Sequence, residues 1–502
     1  MNASSASQLF QSDASLATGQ QRATKAARTA QGAAHGAPIW LGRGADALPG
    51  AAAAAADRAP RVDLAALAAR AAGADGGLTK VIAGTAGAST VWTAESGRVA
   101  RHTSLETGET LRLLGPHGGP VSAVAQIAIT PSCTLVFTGS WDRSIRVWLT
   151  DDAAAERGRR PAPVAVMENA AADLIKCVTV DAVQRILFSG GSDRVVRAWD
   201  IRALCDWAAD APQVRAGQRA PTPALLGTMT AHLRPVVCLA LVPPAPHGGV
   251  ADDLGDAGTL LSADSMGRVL QTRLVRAGDG VQINVQRELD GHETSVLDMV
   301  PVWRAAGAAG AEPVWVVDVW TASMDCTVRR FALSAHERGA LAAGRQSRAG
   351  APQGTDPPLR ADVRITLPAP CKAILPLAAV GVEEPLVVLG LTEGILTVWR
   401  LSDDGAHGGA VQVGQLEGHW HDITFLGAWR RTAHGADDGS PGDVWVVSAG
   451  LDGTVRRWPL SAVLRATHEG GGGARPDGPT SAHPASLLTA KEEEELAELL
   501  EE

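Results

Sequence analysis

Three stretches of this chain repeat one pattern. They are Thr138-Gly-Ser-Trp-Asp142-Arg-Ser-Ile-Arg-Val-Trp148, Ser189-Gly-Gly-Ser-Asp193-Arg-Val-Val-Arg-Ala-Trp199 and Ser448-Ala-Gly-Leu-Asp452-Gly-Thr-Val-Arg-Arg-Trp458. Each places a hydroxyl four residues before an Asp and the Asp six residues before a Trp. Self-similarity of this kind means serial supersecondary units, none of which buries its apolar face alone, so the units must stack. From Leu78 onward short apolar runs alternate with Gly, Pro and Asp turns, which predicts an all-β chain.

Seven units can be aligned on the pattern. The first is degenerate, with Ser96 at the Asp position and His102 at the Trp position. The second is complete: His117, four residues before Val121, then Thr138, Asp142 and Trp148. The third lacks the His and keeps Ser189, Asp193 and Trp199. The fourth has His232 and Ser262, but Met266 stands at the Asp position and Thr272 at the Trp position. The fifth has His292, Thr321, Asp325 and Phe331. The sixth keeps only Trp399, with Leu389 and Glu393 in place of the hydroxyl and the acid. The seventh has His419, Ser448, Asp452 and Trp458.

On these residues the chain resembles the WD-repeat β-propeller family over residues 78 to 462, and seven units match a common propeller size. The resemblance implies an all-β, seven-bladed propeller over 77–462; by composition, 1–76 reads as a low-complexity, mostly disordered segment. A Gly-rich linker and an acidic helical tail fill 463–502. The unit spacing runs 46 to 73 residues, and the excess lies in inserts at 150–165, 203–226, 243–258, 303–314, 333–362 and 432–443, read as surface loops. The chain after Trp458 makes a poor fourth strand, so Arg61–Leu64 or Pro38–Leu41 is expected to close the last blade.

The same resemblance implies that Asp, His, hydroxyl and Trp form a hydrogen-bonded brace inside a blade. A Ser/His/Asp set used for catalysis would occur once, beside an oxyanion hole; here the set recurs. Units two and seven should then be the most rigid, with units one, four and six held by apolar packing. No phosphate loop, nucleophile elbow or metal cluster is present in the motifs, so no cofactor, no metal and no enzymatic activity are expected. His419-Trp-His-Asp422 is the one stretch that tempts a metal reading, and the brace already claims His419.

Function is expected on the narrow top face, where the resemblance places Trp141, Met324 and Leu451 just before the turn acids. Leu233, Arg234, Glu293, Ser295, Trp420 and Asp422 follow the blade histidines there. Trp141, Arg234, Met324, Trp420 and Asp422 are the candidate partner-binding residues. The expected role is a scaffold for protein or peptide partners, with no small-molecule substrate, as a monomer within a larger complex. Two other roles stay open. Trp199-Asp200-Ile201-Arg202 resembles the docking motif of cullin-type ubiquitin ligase receptors, with Arg202 as the contact. An assembly factor in a nuclear ribonucleoprotein or ribosome-biogenesis complex is the other.

The net charge of −9 disfavours nucleic acid as a direct partner. Lys491 to Glu502 supplies −6 of it, from seven Glu and one Lys. Thr489 and Glu492 form a capping-box pattern there, and Leu496, Leu499 and Leu500 share one helical face. Six Cys without C-x-x-C spacing read as reduced thiols of a cytoplasmic or nuclear protein. No apolar run reaches membrane-span length. The first thirty residues, with Arg22, Lys25, Arg28 and a lone Asp13, faintly resemble a mitochondrial presequence; a disordered tail is the alternative.

Overall fold

A computed structural model describes residues 38–41, 81–86, 89–151, 161–210, 219–243, 258–277, 280–306, 314–333, 358–380, 382, 385–401, 409–430 and 444–469. Seven sheets follow one another along the chain, each built on an antiparallel up-and-down meander. Blade 1 comprises Val81–Ala86, Thr90–Glu95, Ala100–Ser104 and Thr110–Leu114. Blade 2 comprises Val121–Thr130, Cys133–Ser140, Ile145–Asp151 and Ala165–Met167. Blade 3 comprises Ile175–Asp181, Ile186–Gly191, Val196–Asp200 and Ala224–Met229. Blade 4 comprises Val236–Leu241, Thr259–Asp264, Val269–Ala277 and Gly280–Asp290. Blade 5 comprises Val296–Ala306, Val314–Ser323, Thr327–Leu333 and Val363–Thr366. Blade 6 comprises Cys371–Pro376, Leu386–Leu391, Ile395–Leu401 and Ala410–Glu417. Blade 7 comprises Ile423–Arg430, Val444–Gly450 and Thr454–Pro459, with Pro38–Leu41 as its outer strand.

The first strand of each blade contacts the first strand of the next, and that of blade 7 contacts that of blade 1. The seven sheets therefore close into a propeller ring. Second strands lie between neighbouring blades and are covered on both faces, so they are continuous apolar runs: Ile186–Gly191 and Leu386–Leu391 are buried throughout. Outer strands have one wet face and alternate, as in Val363–Thr366. Close stacking demands small residues in the second strands. A Cβ on Gly139, Gly190 or Gly390 would meet the first side chain of the next blade (Ile175, Val236, Ile423) at 2.8, 2.8 and 2.7 Å.

Pro38–Leu41 closes the ring, pairing antiparallel with Thr454–Pro459 in the register Pro38↔Arg456, Trp40↔Val455, Leu41↔Thr454. Of the two expected segments this is the one used; Arg61–Leu64 lies outside the described residues, as do the acidic stretch 491–502 and the presequence-like residues 1–30. The chain after Trp458 forms a helix, Leu460–Glu469, whose Ala462 and Val463 are buried against blades 6 and 7. Pro38–Leu41 lies before the expected 77–462, and the helix runs on past its end.

Three inserts are more than loops. Helix α1, Arg202–Ala209, opens the 203–226 insert and buries Leu204, Cys205, Trp207 and Ala208 in the cluster of Leu135, Phe137 and Leu187. The Cys133 thiol donates to Ala208 O at 3.5 Å. At the 303–314 insert the strands run on into both of its ends, because Val296–Ala306 and Val314–Ser323 pair as far as Ala306↔Val314. In the 333–362 insert Leu359–Arg360 joins blade 4 as a fifth strand, parallel to Gly280–Asp290.

The six cysteines are free thiols: Cys133, Cys177, Cys205 and Cys371 are buried, Cys238 and Cys326 partly so. Burial pushes the Cys177 thiol up to about 12 and Cys205 up to about 11, and raises Cys238 and Cys371 as well.

Candidate interaction face and the bracing beneath it

One end of the ring carries the turns that join second to third strands, together with the loops that enter each blade. A recurrent backbone hydrogen bond ties the two. Trp141 N–H donates to Pro120 O, Ser192 to Leu174, Ser265 to Pro235, Met324 to Ser295, Thr392 to Pro370 and Leu451 to Asp422, at 2.8–3.0 Å. This rim is the top face.

Beneath it, blade 2 holds a complete brace. His117 Nδ1 lies 3.1 Å from Asp142 Oδ2 and Nε2 lies 2.7 Å from Thr138 Oγ1, while Trp148 Nε1–H donates to Thr138 Oγ1 at 2.9 Å. A neutral imidazole protonated at Nδ1 satisfies every partner: it donates to the carboxylate and accepts the threonine O–H, whose oxygen accepts from the indole. Blade 7 repeats the geometry, with His419 at 2.8 Å from Asp452 and 2.7 Å from Ser448, and Trp458 at 2.8 Å from Ser448. Blade 5 has His292 at 2.9 Å from Asp325 and 2.7 Å from Thr321, with buried Phe331 in place of the indole.

Electrostatics follow the geometry. Burial holds the His292 and His419 imidazoles below their ordinary range, against the pull of Asp325 and Asp452. Burial would raise the acids, but it is outweighed in Asp142 by hydrogen bonds from His117, Ser144 and Gly118, and in Asp325 by those from Thr327, His292 and Glu293. Asp142 therefore sits well below the usual carboxylate range and Asp325 at about 2.

Blade 4 corrects the sequence reading. Its acid is Asp264, not the residue at 266: His232 Nδ1 lies 3.2 Å from Asp264 Oδ2 and Nε2 lies 2.7 Å from Ser262 Oγ. Asp264 stands at the last position of the second strand, where blade 2 has Ser140, and accepts the Met266 and Arg268 N–H groups as well. Thr272, at the indole position, donates to Leu260 O.

Blades 3 and 6 lack the histidine, and each fills the gap differently. Asp193 accepts from Ala172 N at 2.9 Å and pairs with Arg197 at 2.7 Å, while Trp199 still donates to Ser189. In blade 6 the Trp399 indole donates to Thr397 on its own strand.

Blade 1 holds a second correction. Glu95 and Arg101, 0 % and 1 % exposed, form a buried ion pair at 2.8 Å, with Thr93 donating to Glu95 and Arg101 donating to Thr110. His102 stacks on Trp92, ring centroids 4.1 Å apart and planes 1° from parallel. So blades 1 and 4 do not rest on apolar packing alone.

The hydroxyls Thr138, Ser262, Thr321 and Ser448 are fully buried, each taken up by its histidine. Residues 108–148, spanning the outer strand of blade 1 and most of blade 2, match the family model described as WD domain, G-beta repeat.

The chain folds as a seven-bladed β-propeller that carries a WD repeat. Comparison of the WD-repeat chain with curated proteins returned no match.

The candidate contact residues of this WD-repeat protein divide on the rim. Met324 is 40 % exposed, and Arg234 is exposed. Trp141 and Trp420 are only half-buried rather than free, and Trp420 N–H is bonded to Asp452. Asp422 is engaged: Lys372 Nζ donates to it at 2.6 Å and His421 lies at 3.0 Å. These two partners hold its carboxyl low against burial. His421 and His419 are thereby turned to different acids. Arg202 opens helix α1 with its guanidinium on Asp200, Nε 3.0 Å from the carboxylate, and half of its side chain is exposed. Two large apolar residues of this rim stand out further than Met324: Leu233 at 74 % and Met266 at 54 %. The second was hidden in the sequence because it occupies the position of an expected buried acid.

Proposed function

We propose that this WD-repeat propeller is a non-catalytic scaffold that binds protein or peptide partners across its top face. The observation that carries the reading is the exposed apolar edge of blades 4 and 5, formed by Leu233, Met266 and Met324. Their turns adjoin. A Cβ on Gly267 would lie 2.5 Å from His292 O, and Ser295 O accepts from Met324 N–H. Large apolar side chains on a polar rim are typical of binding surfaces. The braces beneath hold the backbone of that rim, so the side chains are presented with little entropy left to lose.

Affinity capture with mass spectrometry tests this, comparing wild type with Leu233→Ser/Met266→Ser/Met324→Ser. Loss of a defined partner set from the variant, with its melting temperature retained, is the expected result. An identical set from both proteins sinks the reading.

The ubiquitin-ligase receptor role draws support from the exposed half of Arg202. It predicts co-purification of the ligase adaptor that Arg202→Ala abolishes.

A further inference from the structure

The residue that ends each turn on the top face has a left-handed backbone in all seven blades. Arg98, Arg143, Arg194, Gly267, Cys326, Gly394 and Gly453 have φ of 67°, 70°, 68°, 88°, 59°, 78° and 72°. Glycine adopts this conformation without steric penalty and fills it in blades 4, 6 and 7. Blades 1, 2 and 3 instead place arginine there, three times in succession. A strained backbone kept by a long charged residue points to a use for the side chain.

Arg143 and Arg194 are exposed, and among the described residues neither guanidinium has a hydrogen bond or ion pair. Arg98 is exposed too and spends only Nε, on His117 O at 2.6 Å. Arg234, also exposed and unpaired, continues the line from the entry loop of blade 4. The acids of the same turns, Asp142 and Asp193, are bonded inward to His117 and Arg197. That leaves four arginines against three exposed carboxylates of this sector, Glu168, Asp173 and Asp290. Across the ring the charge reverses: Glu293, Glu393 and Glu417 are exposed on blades 5 to 7.

We propose that Arg98, Arg143, Arg194 and Arg234 form an arc on blades 1 to 4 that binds an acidic, Asp/Glu-rich peptide segment of a partner. The proposal rests on the top-face scaffold reading and names the chemistry of its partner. Exposed guanidinium forks spaced blade by blade suit successive carboxylates along an extended chain. The exposed Leu233 lies beside Arg234 at the end of the arc and adds an apolar contact. The glutamates on the opposite rim repel a segment laid the wrong way, which fixes its path.

Fluorescence anisotropy of fluorescein-labelled polyglutamate, titrated with the full chain at low salt, tests the arc. Arg143→Gly/Arg194→Gly removes two charges while installing the residue that the turn accepts most readily, so folding and charge are separated. We expect salt-sensitive binding by wild type, weakened about tenfold in the double variant, with its melting temperature held; Arg234→Ala should weaken it further. No binding by wild type, equal binding by the double variant, or tighter binding of an oligouridylate than of polyglutamate overturns the proposal. Partner capture separates the two readings. A partner set that the Leu233/Met266/Met324 variant loses and the arginine variant keeps leaves the scaffold standing and removes the arc.

Discussion

At the scale of single residues, the braces show how a blade tolerates a displaced acid. Asp264 sits two positions before the expected one, yet reaches His232, because the end of the second strand and the tip of the turn flank the same imidazole. Asp264→Ala should therefore destabilise the protein by about 1–3 kcal/mol, since a buried histidine loses its acceptor. Met266→Ala should stay within about 0.5 kcal/mol. Equilibrium denaturation of the pair decides the assignment; equal effects would return the acid's role to neither. The Glu95–Arg101 pair invites a different test. Glu95→Ala takes the carboxylate from a buried guanidinium and should cost about 3–5 kcal/mol, whereas Glu95→Leu/Arg101→Met should recover most of that loss. Neither feature was legible in the chain. Spacing identified the brace in blades 2, 5 and 7, where hydroxyl and acid keep their interval. It failed in blade 4, where the interval halves, and in blade 1, where a different pair does the bracing.

At the scale of elements, the apolar runs and turns located the strands well, because a strand covered on both faces has no other composition available. Ser189, Asp193 and Trp199 marked their blade correctly without a histidine. What the sequence hid were elements made in the inserts. Helix α1 is short, and its Gly/Pro/Ala-rich surroundings read as loop; only the buried set Leu204, Cys205, Trp207 and Ala208 reveals it as part of the core. Leu204→Ala should cost about 2–5 kcal/mol, measured by the same denaturation, against a near-zero effect if the helix merely rests on the surface. The outer strand of blade 7 offers a second test. Deleting residues 38–41 bares the edge of Thr454–Pro459, and bare edges recruit other strands. The deleted protein should melt lower and self-associate on size-exclusion chromatography; a monomer of unchanged stability would mean that the pairing contributes nothing.

At the scale of the whole molecule, buried histidines set the response to acid. Burial first, then Arg112, pulls His102 down to about 3, and burial also lowers His292 and His419. The unfolded chain takes up these protons as pH falls through about 6.5, while the folded chain resists them, so stability is lost below that pH. Asp298 acts in the opposite sense: burial lifts it to about 6, so the fold binds its proton first and gains a little between about 6 and 4. Asp325, held at about 2, withdraws its stabilisation only in stronger acid. Three histidines against one carboxylate predict a melting temperature that falls between about pH 7 and pH 5. His102→Phe should make that fall shallower, and an unchanged slope would show that His102 does not resist protonation in the fold.

The pairing of Leu41 with Thr454 joins positions separated by nearly the whole described chain. A ribosome delivers the first of these partners long before the second. Blades 1 to 6 can be laid down in order as they emerge, but the strand at 38–41 has no neighbour to pair with until residues 454–459 arrive. The last contact made is therefore the one with the greatest loop to close, and the slowest to reward its closure. For most of its synthesis this protein is an open arc with two unjoined ends, and only completion of the final blade makes it a ring.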